Sequence, residues 1–337
     1  MSDRSNAYLN YVVESDNPDS LYRGRQGSWI SGSNYRVSDQ VRLFGETKLT
    51  NGSGPQSLSQ AFGADWAPTD KWTLGAKTEF GTISDPLAGD TKRKAVGFTV
   101  GYREGDFKYS GALELRSEDN NIAGHRNTWL VRNTVGWQLS REWRLLGKLN
   151  WSDSNNSQGA FYDGGYHEVV AAAAYRPVDN DRWNTLVKYT NFYNVPSPGQ
   201  VVSSGAVADY AQKSQVFAVD TIYDVRPWLA IGGKYAVRIG ELRASKVDGD
   251  WFSSQADLWV LRADWKFVKE WDALVEWRNL RAREASDSRA GALFAVYRHV
   301  GEGVKVGAGY NFTNYSDDLT DLSYRSRGWF INVLGTF

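Results

Sequence analysis

The sequence contains no cysteine, one methionine, three histidines and eight prolines in 337 residues. Without cysteine there is no disulfide framework, no Cys-based zinc site and no thiol nucleophile. Charge of one sign is also missing, because Lys+Arg and Asp+Glu are each 39 and cancel. A general nucleic-acid binder would normally be basic, so no nucleic-acid partner is expected. No run of about 18 apolar residues occurs, and the mean hydropathy is −0.51, which excludes a helical membrane protein. Sustained helical periodicity is absent beyond two turns.

Aromatic residues, by contrast, are abundant: 15 Trp, 18 Tyr and 14 Phe. They recur in strict alternation. In the stretch from Trp143 to Trp151, one face carries Trp143, Leu145, Gly147, Leu149 and Trp151, and the other Arg144, Leu146, Lys148 and Asn150. Successive side chains of a strand point to opposite faces, so this is one apolar and one largely polar face. Similar alternation follows Trp72, Trp129, Trp259 and Val306. The apolar face tends to hold aromatics at its ends and small or aliphatic residues between them. That is the layout of a lipid-facing band between two aromatic girdles, whereas a soluble sandwich rarely repeats it strand after strand.

Short polar turns are followed at once by a tryptophan at Trp72, Trp143, Trp183, Trp228 and Trp271. These five form the expected girdle at one rim. Longer segments rich in Ser, Asn, Asp and Gly lie between, at about 14–27, 50–56, 82–93, 117–126, 152–163, 193–212, 239–253, 280–288 and 313–325, and read as loops. Eight short turns and nine long connections predict one domain over 1–337: an all-β, transmembrane, antiparallel up-and-down β-barrel of about 18 strands, or 16 if the first two fail. Both termini then fall on the periplasmic side. A TonB-dependent transporter, with 22 strands and a plug, exceeds the expected capacity of the chain. The 193–212 connection, the longest, is the candidate for a constriction folded into the lumen.

Trp329, Ile331, Val333 and Phe337 close an alternating strand at the C-terminus. That ending resembles the assembly signal read by the outer-membrane barrel assembly machinery. The segments 157–164 (SQGAFYDG), 177–183 (PVDNDRW) and 309–337 resemble the barrel domain at the C-terminus of some large, multi-domain bacterial surface proteins, among them proteins labelled OmpA-like. The resemblance spans about 6–337. It implies a barrel in the outer membrane of Gram-negative bacteria and little about a substrate. The chain begins Met1-Ser2-Asp3-Arg4 with no export signal, so the expectation is either a mature chain or a piece of a larger protein.

The polar face supplies the candidate site. Its Lys and Arg are Arg42, Lys48, Lys77, Arg103, Lys108, Arg116, Arg132, Arg144, Lys148, Lys188, Lys234, Arg238, Arg262, Lys266, Arg278 and Lys305. Its acids are half as many: Glu46, Asp65, Glu79, Glu114, Asp220, Asp264, Asp272 and Glu276. Rings of Lys and Arg in a water-filled pore favour anions. The alternative is that these charges pair across strands and simply keep the wall wet. Arg42, Lys77, Arg132, Arg144, Lys148, Lys188, Lys234, Arg262, Arg278 and Lys305 are the expected pore-lining set. Reversing Lys77, Lys148 and Lys188 to Glu would then move selectivity toward cations.

Catalysis finds little support. His167 beside Glu168 and near Asp163 is the one suggestive group, and a solvated histidine at girdle level explains it. The acidic run 317–321 lacks the spacing of a calcium loop. No enzyme activity, cofactor or metal is expected. The expected partners are outer-membrane lipid and lipopolysaccharide, the assembly machinery, and small solutes or ions. The functional expectation is passive ion and solute transport, as in a porin channel. The alternative is a membrane anchor or translocation barrel of a larger cell-surface protein.

Overall fold

The computed structural model describes residues 4–14, 26–52, 56–85, 89–195, 210–300, 304–313, 319 and 328–335. These form β1 (Ser5–Glu14), β2 (Gln26–Arg36), β3 (Val41–Gly52), β4 (Gln56–Thr69), β5 (Trp72–Asp85) and β6 (Gly89–Glu104). Next come β7 (Phe107–Asn120), β8 (Gly124–Gln138), β9 (Trp143–Asn156), β10 (Gly164–Tyr175), β11 (Trp183–Val195), β12 (Ala211–Arg226) and β13 (Leu229–Arg243). The last are β14 (Phe252–Ser253), β15 (Ala256–Val268), β16 (Trp271–Ala282), β17 (Asp287–Val300), β18 (Val304–Asn311) and β19 (Gly328–Gly335). β14 is a two-residue spur on β13. The remaining eighteen strands match the expected number. The first two strands, the weakest in the sequence pattern, pair in full from Ser5↔Tyr35 to Glu14↔Gln26.

Each long strand pairs antiparallel with the next, and β13 passes directly to β15. The sheet is thus an up-and-down meander. Such pairing satisfies the backbone of every inner strand, as a lipid environment requires. Among the described residues no pairing joins β1 to β19. The start of β1 and the end of β19 lie at the short-turn rim, as Ser5 faces Tyr35 and Gly335 faces Val304. Three register shifts fall at this rim, between Trp66 and Thr69, Asp224 and Arg226, and Lys266 and Val268. Bulges are frequent at barrel rims, where they bend and twist a strand.

The two faces separate as alternation demands. Trp72, Trp143, Trp183 and Trp271 are exposed on the outer face, along with Trp129, Trp137, Trp151, Trp259, Trp265 and Trp277, and Trp228 is exposed in the turn before β13. Eight residues separate Trp143 from Trp151, and Trp129 from Trp137. That is about 27 Å along a strand, or about 20 Å of height at a tilt of about 40°, close to a lipid-facing band. Trp329, Ile331 and Val333 are exposed at 82%, 81% and 63%, consistent with an unpaired flank of β19. Phe337 lies outside the described residues.

The opposite rim departs from expectation. The segments 82–93, 117–126 and 280–288 were read as loops, yet strands run to Asp85 and resume at Gly89, run to Asn120 and resume at Gly124, and run to Ala282 and resume at Asp287. Beyond the lipid band both faces of a strand are wet. Alternation fades there while backbone pairing continues, so polar composition imitates a loop.

Adjacent positions of β8 allow a test of which face meets lipid. Val131→Arg, outward in mid-band, should cost about 2–4 kcal/mol. Thr134→Arg, on the opposite face and exposed, should cost less than about 1 kcal/mol. Reversible denaturant unfolding from phospholipid vesicles measures both.

Candidate functional site on the inner wall

The face opposite the tryptophans carries the charges. Ion pairs, some across strands and some two residues apart on one strand, occupy much of it. Arg42 donates to Asp65 at 2.5 Å, and Arg116 to Glu114 at 2.5 Å. Lys77 lies 3.7 Å from Glu79 and 3.4 Å from Glu114. Lys148 contacts Glu168 at 2.8 Å, Arg262 contacts Asp264 at 2.7 Å, and Arg278 contacts Glu276. Asp272 accepts from Lys305 and, at 2.9 Å, from His299. Lys188, Lys234 and Asp220 also have partners.

The Lys77–Glu114 contact spans three strands, since Lys77 faces Gly97 and Gly97 faces Glu114. A Cβ on Gly97 would come within 2.9 Å of the lysine Cε, so glycine makes the path for the side chain.

Four further charges face inward: Arg93, Glu118, Arg126 and Glu168. Glu118, 3% exposed, is clamped by Arg93 at 2.7 Å and by Arg126. Glu168 also faces inward, to Lys148 and to the Tyr166 hydroxyl at 3.1 Å. All lie in segments of blurred alternation or beside a histidine that drew attention to the wrong face. Period two alone places His167 and Glu168 on opposite faces. His167 instead stacks on Tyr193, with ring centroids 5.1 Å apart, and reaches Asn191 at 3.2 Å. The Asp163 carboxylate accepts the Asn156 backbone amide at 2.6 Å. The three residues form no catalytic set. The acidic run 317–318 and 320–321 lies outside the described residues, as does 196–209 of the expected constriction.

Inner-face cations with no ion-pair partner among the described residues include Lys48, Arg103, Lys108, Arg132, Arg144 and Lys266. Arg103 and Lys108 face each other directly across β6 and β7, a like-charge pair that only solvent or an anion can relieve.

One inner patch is apolar. Val216, Ala218, Ala236, Ala256, Leu258 and Val260 form a buried cluster with Leu319, from the connection between β18 and β19. Leu319 is 4% exposed, holds φ at 60°, and accepts a hydrogen bond from Arg238 at 3.3 Å through its carbonyl. At the long-loop rim the buried Lys246 ammonium donates to the carbonyls of Phe161 and Asp163, both at 2.7 Å. These contacts join segments several strands apart in the sheet, so the sheet curves around its charged face.

No family model matches the chain, and no curated protein matches it. Solved structures do. The siderophore receptor PirA from Acinetobacter baumannii aligns with a TM-score of 0.58 and 7% identity, over 99% of this chain and 66% of that one. The copper transporter OprC aligns at 0.57 and 11% identity, over 91% of this chain and 62% of that one. The siderophore receptor PiuA from Acinetobacter baumannii aligns at 0.54 and 10% identity, over 99% and 71%. The fold is that of an outer-membrane β-barrel. This chain spans less than two thirds of the length of OprC. None of these similarities bears on the expected likeness to OmpA-like multi-domain surface proteins; the relatives in shape are receptors and a transporter.

Removing the Glu118 charge would leave two arginines facing each other with nothing between them. Glu118→Gln should lower unfolding free energy by about 2 kcal/mol, below the full cost of an unpaired buried charge because both arginines stay about a quarter exposed. Denaturant midpoints of the variant and the parent chain, compared in one lipid, measure it.

Proposed function

We propose that the chain is a barrel of the bacterial outer membrane that passes small hydrophilic solutes through a wet, cation-lined lumen with a weak preference for anions. The observation that carries this reading is the set of inner-face cations without an ion-pair partner among the described residues, among them Arg103, Lys108, Arg144 and Lys266 near the short-turn rim. An eighteen-stranded barrel is too wide for its own side chains to fill. The transporter and receptors of similar fold favour transport over an anchoring role alone. They are receptors for specific cargo by name, so passive diffusion rests here on the chemistry of the inner wall.

The outer face supports the expected partners. Trp-rich girdles suit the two lipid interfaces. Lys92 and Lys94 project outward beyond the apolar band on β6, where phosphate-bearing lipid headgroups of lipopolysaccharide would meet them. The outward Trp329, Ile331 and Val333 of β19 are the residues we assign to recognition by the assembly machinery.

The ion pairs alter the choice of selectivity variants. Lys77 and Lys148 are tied to carboxylates, so reversing them mainly breaks a pair. Arg132 and Arg144 are exposed and have no such tie. In planar bilayers under a salt gradient, the parent barrel should show a reversal potential on the anion side. Arg132→Glu with Arg144→Glu should carry it toward cations, by more than the corresponding Lys77 and Lys148 pair of reversals. A folded barrel without conductance would defeat the diffusion reading.

A further inference from the structure

The inner wall between β11, β12 and β13 holds a cavity of about 220 Å³. Its floor is apolar and its edges are charged. In register across the three strands, Thr190 faces Val216, which faces Arg238. One row lower, Lys188 faces Ala218 and Ala236. In the next row, Leu186 faces Asp220, which faces Lys234. Two ammonium groups against one carboxylate leave the cavity positive.

Thr190 is 2% exposed, and its hydroxyl has no hydrogen-bond partner among the described residues. A buried hydroxyl left unpaired costs free energy that an acceptor arriving in the cavity would recover. Beside it, Arg238 has no ion-pair partner among the described residues, and its Nε is likewise buried without a partner. Two orphaned donors, on β11 and β13, therefore flank Val216 of the apolar floor on β12.

Leu319 indicates what that floor accepts. It belongs to the buried cluster that also holds Val216, Ala218 and Ala236, three residues that line the cavity, while its carbonyl oxygen accepts from the Arg238 guanidinium. An aliphatic group joined to an oxygen acceptor already satisfies half of this wall from within the chain.

We propose that this cavity is a binding subsite for small aliphatic carboxylates. The aliphatic group lies on Val216, Ala218 and Ala236, and the carboxylate faces Lys188, Lys234 and the Thr190 hydroxyl. The inference rests on the lumen being open to solutes and names a class of solute for it.

The probe is 4-methylpentanoate, which is leucine without its amino group. Its neutral amide and acetate are the controls. Ligand-observed NMR on the full chain in lipid nanodiscs reads binding without requiring conduction, so a closed pore and a missing subsite are told apart. The expected result is saturable binding of 4-methylpentanoate, at least tenfold tighter than that of the amide or of acetate. Thr190→Val should weaken it about threefold to tenfold, the loss of one hydrogen bond. Thr190→Ser should retain it, which separates a lost donor from a damaged fold. Lys188→Gln with Lys234→Gln should abolish the preference for carboxylate over amide. Equal binding of acid and amide, or affinity unmoved by Thr190→Val, would overturn the proposal.

Discussion

Everything in this structure depends on backbone pairing carried strand by strand around a sheet with two unlike surroundings. A peptide group in hydrocarbon has no water to bond, so a spanning strand must be paired along both edges. Once pairing is complete, side chains alternate without choice between lipid and lumen. Composition then follows from geometry. Tryptophans collect where outward positions cross the interface, small and aliphatic residues fill the band between them, and charges gather on the remaining face. A chain with zero net charge and low mean hydropathy is thereby a membrane protein, because half its strand positions never meet lipid.

The charged face obeys a second rule, set by register rather than by alternation. Some pairs, such as Arg262 with Asp264, lie two residues apart on one strand, but a carboxylate and a cation on different strands meet only where the register brings them within reach. Lys77 reaches Glu114 because Gly97 intervenes without a side chain. Glu118 holds two arginines from the strands on either side. Pairing of this kind neutralises much of the wall. What is left over, at Arg132, Arg144 and the facing Arg103 and Lys108, carries the electrostatic character of the lumen.

This division explains what could be read from the sequence. Strand number, the phase of nearly every strand and the five turn-adjacent tryptophans follow from period two, which needs only neighbours along the chain. Which lysine meets which glutamate needs the strand partner, and a single sequence gives no direct measure of register. The opposite placement of His167 and Glu168 was available from the same period and was obscured by the chemistry their adjacency suggested. Leu319 could not be foreseen. One leucine in an acidic, polar connection has no periodic partner, and its role arises only where a distant stretch of wall turns apolar.

The strands that pass beyond the girdle at the long-loop rim have a biological consequence. β7 and β8 continue as a paired ribbon to a three-residue turn, with polar side chains on both surfaces. A protease needs an extended, unpaired segment of several residues to seat in its cleft. An antibody, by contrast, favours a rigid relief of side chains. Where the rim is built this way, it combines resistance to digestion with a fixed antigenic shape.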